Sequence, residues 1–331
     1  MKNVLITGGN GFIGSNFITY MTIKYPDINF INYDCNYYLT NNIEEIEENK
    51  NFINYERKLQ DKSFLLEVLD KHNIDTIIHF AAQSHVDNSF FNSLQYTDDN
   101  ILGTHILLEC IRIYNKLELF IHISTDEVYG ENENDDDIKT EKTLLCPTNP
   151  YSATKAAAEM LVNSYYYSFK IPVIIIRSNN IYGRKQFTEK VIPKFITQIL
   201  NNEKITIQGD GSNKRSFLYI DDLIEAIELI LLKGKIGNIY NISSTDEISI
   251  MDLAKKLLEM TNEDIKDKII YIEDRQYNDK RYYICDKKLK ELGWIKRTDL
   301  NEGLKKTIEW YKGQKMSFDP PFIYKCFLTA L

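Results

Sequence analysis

The sequence is short of the residues that staple or metallate a fold. It has five cysteines, an odd number, and none stands in a CxxC spacing. Cys35, Cys110, Cys146, Cys285 and Cys326 therefore read as reduced thiols of a cytosol-like compartment, not as a disulfide framework. The five histidines show no metal-ligand spacing, so no metal is expected. Positive charge is also scarce: 40 lysines and arginines face 48 acids, a net charge of −8. That balance gives no electrostatic case for nucleic acid, and an anionic ligand would need a locally basic pocket. No apolar run approaches the roughly 20 residues that span a bilayer, so no membrane partner is expected. The opening run Met1-Lys2-Asn3-Val4-Leu5-Ile6-Thr7-Gly8 turns at glycine too early for a signal peptide. A cytoplasmic location is the expectation. The acidic stretches 44–48 and 131–137 read as solvated loops or helix ends, and no internal repeat is present.

What is there is a series of short apolar runs. Val4-Leu5-Ile6, Phe30-Ile31-Asn32-Tyr33, Thr76-Ile77-Ile78-His79-Phe80, Phe120-Ile121-His122-Ile123 and Val173-Ile174-Ile175-Ile176 suit strands buried on both faces. Helical patterns such as Phe64-Leu65-Leu66-Glu67-Val68-Leu69 fall between them. This βαβ alternation predicts an α/β fold, a Rossmann-type doubly wound parallel sheet. The second half is less regular. It holds a turn at Gly209-Asp210-Gly211-Ser212 and amphipathic segments over 223–232 and 250–260. It reads as a smaller C-terminal substrate-binding lobe.

Gly8-Gly9-Asn10-Gly11-Phe12-Ile13-Gly14 follows the first strand and opens a helix. Gly9, Gly11 and Gly14 satisfy the GxGxxG pattern. Glycines there let the chain turn sharply and let a pyrophosphate reach the free N–H groups of the helix N-terminus. Asp34 ends the second strand about 20 residues after the last glycine, where an acid holds the adenosine ribose hydroxyls. A carboxylate repels a 2′-phosphate, so the expected cofactor is NAD rather than NADP.

Two further runs carry chemistry. Ser124-Thr125-Asp126-Glu127-Val128-Tyr129-Gly130 places a hydroxyl and two acids at a strand end. Tyr151-Ser152-Ala153-Thr154-Lys155 places a phenol and an ammonium on one helix face, with Pro150 at a plausible helix start. The ammonium is expected to lower the phenol pKa. Adjacent carboxyl groups suit one acid and one base, because burial and neighbouring charge push their pKa values apart.

With these motifs the chain resembles the extended short-chain dehydrogenases/reductases, specifically nucleotide-sugar 4,6-dehydratases of the dTDP-glucose 4,6-dehydratase type. The likeness runs to about Tyr311. It also includes Ala81-Ala82-Gln83-Ser84-His85-Val86-Asp87-Asn88-Ser89, Asn100-Ile101-Leu102-Gly103-Thr104, and the runs 177–183, 189–193, 209–215 and 275–282. The resemblance implies a hydro-lyase of deoxysugar synthesis, such as the route to rhamnose. It implies that Tyr151 takes the proton of the sugar 4-hydroxyl and that Thr125 holds that hydroxyl. It gives Glu127 the proton on carbon 5 and has protonated Asp126 release the 6-hydroxyl as water, with the hydride going out to NAD and back. Asp126 favours this reaction: related decarboxylases and GDP-mannose dehydratases usually carry Ser there, and 4-epimerases lack the Asp-Glu pair.

By the same resemblance Gly8, Gly11, Phe12, Ile13, Gly14, Asp34, Ala81, Ala82, Asn100, Tyr151 and Lys155 hold NAD. Ser84, Asn180, Glu189, Lys190, Val191, Arg215, Asn241, Arg275 and Asn278 hold the nucleoside-diphosphate sugar. The expected division gives 1–177 plus about 217–241 to the NAD-binding domain, about 178–216 plus 242–318 to the nucleotide-sugar-binding domain, and 319–331 to a tail. A homodimer is implied, packing the helix that bears Tyr151 and Lys155, with Ala156-Ala157-Ala158 allowing either close approach or packing on the sheet. Four positions depart from the pattern: Gln83 for glutamate, Asn278 for histidine, Lys58 for an aspartate near the adenine, and Arg184 for proline. The first two look like the eukaryotic branch and make UDP-glucose a candidate beside dTDP-glucose. A 4-epimerase or decarboxylase on a similar substrate, or a silent NAD-binding scaffold, are the alternatives.

Overall fold

The computed structural model describes residues 1–314 apart from 38, 39, 42, 133, 135 and 136; Cys326, the expected tail and part of the acidic stretch 131–137 lie outside them. Six strands come first: β1 Asn3–Thr7, β2 Asn29–Asp34, β3 Phe52–Glu56, β4 Thr76–His79, β5 Leu119–Thr125 and β6 Val173–Ser178. Then come β7 Asn180–Tyr182, β8 Ile205–Gln208, β9 Lys214–Tyr219, β10 Ile239–Ile242, β11 Glu247–Ser249 and β12 Ile269–Ile272. The main sheet has the order β3-β2-β1-β4-β5-β6-β10, and every pairing in it is parallel. The strand order reverses between β1 and β4, which opens a crevice at their carboxyl ends.

The apolar runs have two faces to fill. In β1, Val4 and Ile6 join one hydrophobic cluster, and Leu5 joins the other. The first cluster is closed by the helices Phe12–Lys24 and Ile220–Lys233. The second is closed by Lys62–Lys71, Gly103–Tyr114 and Pro150–Phe169. Period-2 strands buried on both sides read as unbroken apolar runs for this reason.

The smaller lobe combines a three-stranded sheet β11-β9-β7 with a parallel pair β12-β8. Its helices Val191–Leu200, Ile250–Met260 and Leu300–Gly313 add Phe195, Leu253, Leu257 and Leu304 to the first cluster, so the two lobes share one core. Between them the chain returns to the main sheet through the helix Ile220–Lys233 and β10. A division at 217 falls within β9.

Candidate active site

The crevice between β1 and β4 widens into a cavity of about 350 Å³. That volume lies within the range of small-molecule sites. Its floor is the glycine turn. Gly8 has φ +73°, a left-handed conformation, and a Cβ there would stand 2.5 Å from the Ala81 nitrogen. A Cβ on Gly14 would run into the Gly8 carbonyl, so the helix can sit close on the strand only with glycine at that position. At Gly11 the nearest atom to an added Cβ is the Gly8 oxygen at 3.3 Å, and Gly11 lines the cavity. Gly11 also caps the helix Phe12–Lys24 with no side-chain hydrogen bond, which leaves first-turn N–H groups to an anion. Asp34 stands across the crevice and accepts from the Asn10 and Asn36 backbone N–H groups, each at 2.9 Å. A bare cradle, orphan donors and a fixed acceptor fit a dinucleotide with a ribose diol. Phe12, Ile13, Ala81 and Ala82 line the same wall.

Asn100 is placed differently. It is buried and binds the Gln83 main chain twice, accepting from N at 2.7 Å and donating to O at 3.0 Å. It holds the loop that lines the cavity and is not itself among the lining residues.

The far end of the cavity carries Thr125, Glu127, Tyr151 and Lys155. The helix Pro150–Phe169 starts sharply, with Pro150 in its first turn and a capping box between Asn149 and Ser152. Asn149 does a second job: its Nδ2 donates to Glu127 Oε2 at 3.1 Å. Asp126 lies just behind the wall, only 2% exposed. It accepts from Asn179 Nδ2 at 2.7 Å and from the Thr125 hydroxyl at 3.1 Å. Burial first, then the Glu127 charge, pushes its carboxyl up to about 7. Glu127 is also raised by burial, and hydrogen bonding from Asn149 and the Lys190, Arg215 and Arg275 charges oppose the shift. One acid is thus proton-holding near neutrality beside a second whose upward shift is held back by Asn149 and three positive charges.

Tyr151 overturns an expectation. Burial and the Glu127 charge push its phenol up, while the Thr125 hydroxyl pulls the other way. Lys155 is turned inward, donating from Nζ to the Ile123 carbonyl at 2.7 Å. Burial also lowers that amine to about 8. Helical spacing put the two groups on one face but said nothing of depth, and depth governs here.

Ser84, Asn180, Glu189, Lys190 and Val191 line the cavity near these groups, with Lys190 Nζ donating to the Ser84 carbonyl at 2.6 Å. Arg215 and Arg275 stand together because Asn278 Oδ1 accepts from both, at 3.2 and 2.6 Å. Their charges reach Glu127. Asn241 is elsewhere: it is 0% exposed and accepts from the Tyr129 hydroxyl at 2.8 Å. Lys58 and Gln83 line the cavity, and Gln83 donates to Asp99 at 2.9 Å. Arg184 pairs with Asp221 at 2.6 Å, tying the loop after β7 to the start of the helix Ile220–Lys233. Asn149 and Asn179, which hold the two acids, were not singled out from the sequence. The Asn-Pro helix start could have pointed to the first.

Among the described residues no group of three or more His, Cys, Asp or Glu is arranged to hold a metal. No helix among them is long and apolar enough to cross a membrane.

A family profile described as GDP-mannose 4,6 dehydratase matches residues 5–307. The chain belongs to this family. It is 45% identical over 359 residues to a dTDP-D-glucose 4,6-dehydratase of Dictyostelium discoideum, covering 95% of this chain and 82% of that one. It is 46% identical over 313 residues to a trifunctional UDP-glucose 4,6-dehydratase/3,5-epimerase/reductase of Arabidopsis thaliana, covering 94% of this chain. The match takes in only 47% of the plant protein, so the chain spans about half that relative's length. Among solved structures, a dTDP-glucose 4,6-dehydratase from Bacillus anthracis in complex with NAD superposes with a TM-score of 0.87 at 34% identity, covering 94% of this chain and 97% of the other. The shared fold is the extended short-chain dehydrogenase/reductase fold, as the motifs imply.

Proposed function

We propose that this chain is an NAD-retaining nucleoside-diphosphate-glucose 4,6-dehydratase, a hydro-lyase that converts UDP-glucose or dTDP-glucose into the 4-keto-6-deoxyglucose nucleotide. The observation that carries it is the pairing of Asp126, raised to about 7, with Glu127 beside Tyr151. The relatives named for this reaction on UDP- and dTDP-glucose support it.

Bound NAD supplies an acceptor for a hydride from sugar carbon 4 that is later returned to carbon 6. Tyr151 takes the proton of the 4-hydroxyl, which Thr125 orients; because burial raises its phenol, its basic form would rely on the positive charge that NAD brings beside it. The resulting ketone acidifies carbon 5, and Glu127 removes that proton. Asp126 donates its proton to the 6-hydroxyl, which leaves as water. Glu127 gives its proton back to carbon 5 when carbon 6 is reduced. Gly8, Gly11, Gly14 and Asp34 hold the dinucleotide. Arg215 and Arg275 bind the diphosphate, as guanidinium forks suit phosphate oxygens.

The working unit is a homodimer in a cytosol-like compartment. The four described cysteines are free, which supports the compartment. The helix Pro150–Phe169 leaves Met160 61% and Tyr167 70% exposed two turns apart on one face, and Leu102 and Ile113 are exposed just before and near the end of the helix Gly103–Tyr114. Ala156 and Ala158 turn inward, so the contact relies on the larger side chains.

The test is to incubate purified protein, with no added cofactor, with UDP-glucose and dTDP-glucose in parallel. The expected product loses one water and shows the alkali-induced absorbance of a 4-keto-6-deoxy sugar, and relative kcat/KM names the nucleotide. A product of unchanged mass would point to epimerisation, and none at all, with NAD bound, to a scaffold.

A further inference from the structure

The catalytic groups stand on two elements. Tyr151 and Lys155 ride on the helix Pro150–Phe169, and Asp126 and Glu127 on the one-turn helix Asp126–Tyr129. Between these elements lies an ion pair that the reaction steps leave unused. Glu159, one turn beyond Lys155, is 0% exposed. Arg177 of β6 donates from Nε to its two oxygens at 3.0 and 3.1 Å, and from Nη2 to Oε2. The guanidinium carbon also lies 4.6 Å from the centre of the Tyr129 ring. Tyr129 closes the turn that begins at Asp126, and its hydroxyl is pinned by Asn241 of β10, the register neighbour of Arg177.

Two charges taken this far from water are a poor stabiliser, because desolvation offsets most of their attraction. They are a good locator. A planar guanidinium whose edge grips a carboxylate and whose face lies against a ring has one position open to it. Here the edge belongs to the Tyr–Lys helix and the ring to the acid–base turn. The two elements serve adjacent carbons of one sugar, so their separation has to be held closely. An error of about 1 Å in such a placement is enough to cost a hundredfold in rate.

We propose that Glu159 and Arg177, with Tyr129, are positioning residues: a buried strut that sets the Tyr151–Lys155 helix at the working distance from Asp126 and Glu127. This rests on the dehydratase reading, because that reaction uses both sets of groups on one substrate.

The test removes both charges together, in the double variant Glu159→Leu/Arg177→Met, so that no orphan charge is left behind. NAD content as isolated, KM and kcat are then read against wild type. The expected result is unchanged NAD content, KM within about threefold and kcat down about a hundredfold. A second pair needs no buried charge removed: Tyr129→Leu should slow kcat, and Tyr129→Phe, which keeps the ring but gives up the hydroxyl bond to Asn241, should restore most of it. If the double variant does not fold, the Tyr129 pair decides. Wild-type kcat in a folded double variant, or in Tyr129→Leu, overturns the strut. So does a parallel loss of NAD, KM and kcat, which marks a general structural role. A wild-type protein that makes no 4-keto sugar sinks the parent reading instead.

Discussion

Asp126 and Glu127 are chain neighbours given different work by their surroundings. Asp126 is sealed behind Thr125 and Asn179, whereas Glu127 opens on the cavity and is gripped by Asn149. An acid at about 7 must be protonated to release the 6-hydroxyl, so kcat should fall as pH rises through about 7. A flat kcat from pH 6 to 9 would remove Asp126 from that role. The same shift has a stability consequence. The folded pKa is raised above an unfolded value of about 3.9, so its contribution is full below that value and is lost as pH climbs to about 7. Asp126→Asn has no such loss. Its Tm relative to wild type should therefore be higher at pH 8 than at pH 5, while its turnover is lost; a gap that does not grow with pH would contradict the burial argument. Glu127→Gln should keep NAD bound and lower kcat at least a thousandfold, on the order expected for losing a general base. Near-wild-type turnover in that variant would end the proposed mechanism.

At the scale of elements, the start of the helix Pro150–Phe169 joins folding to chemistry. Asn149 caps the helix through Ser152 N at 2.9 Å and also holds Glu127. Asn149→Ala should cost about 1 kcal/mol of stability through the lost cap, and activity as well. Asn149→Asp should keep the cap but set a second carboxylate against Glu127, so it should turn over slowly and melt below wild type at pH 8, with the gap closing as pH falls and one of the two acids takes a proton. Equal activity in Asn149→Asp and wild type would show that the Glu127 contact is idle. Much of this level was legible in the sequence. The apolar runs are the strands, the glycine run is a strand-to-helix turn, and the 250–260 segment is the helix Ile250–Met260. What was not legible is direction and depth. Four-residue spacing places Lys155 beside Tyr151, yet only the packed sheet turns its amine to the Ile123 carbonyl. Asn241 carries no sign in sequence that its amide oxygen faces Tyr129, in the turn after β5, rather than a ligand.

At the scale of the whole molecule, the exposed Met160 and Tyr167 make the proposed dimer testable. The double variant Met160→Glu/Tyr167→Glu should elute as a monomer by light scattering while wild type elutes as a dimer. Wild type running as a monomer would discard that assembly. The shared core has another consequence. The main sheet is not finished when β6 is made: its last strand, β10, follows the smaller lobe's β7, β8 and β9 along the chain. During synthesis, therefore, the open edge of β6 must wait until residue 242 has left the ribosome. For that interval the nascent chain shows an unpaired parallel strand, a template for wrong partners. A chain stopped short of β10 would leave that edge bare for good, so the half that holds the dinucleotide should self-associate when cut free.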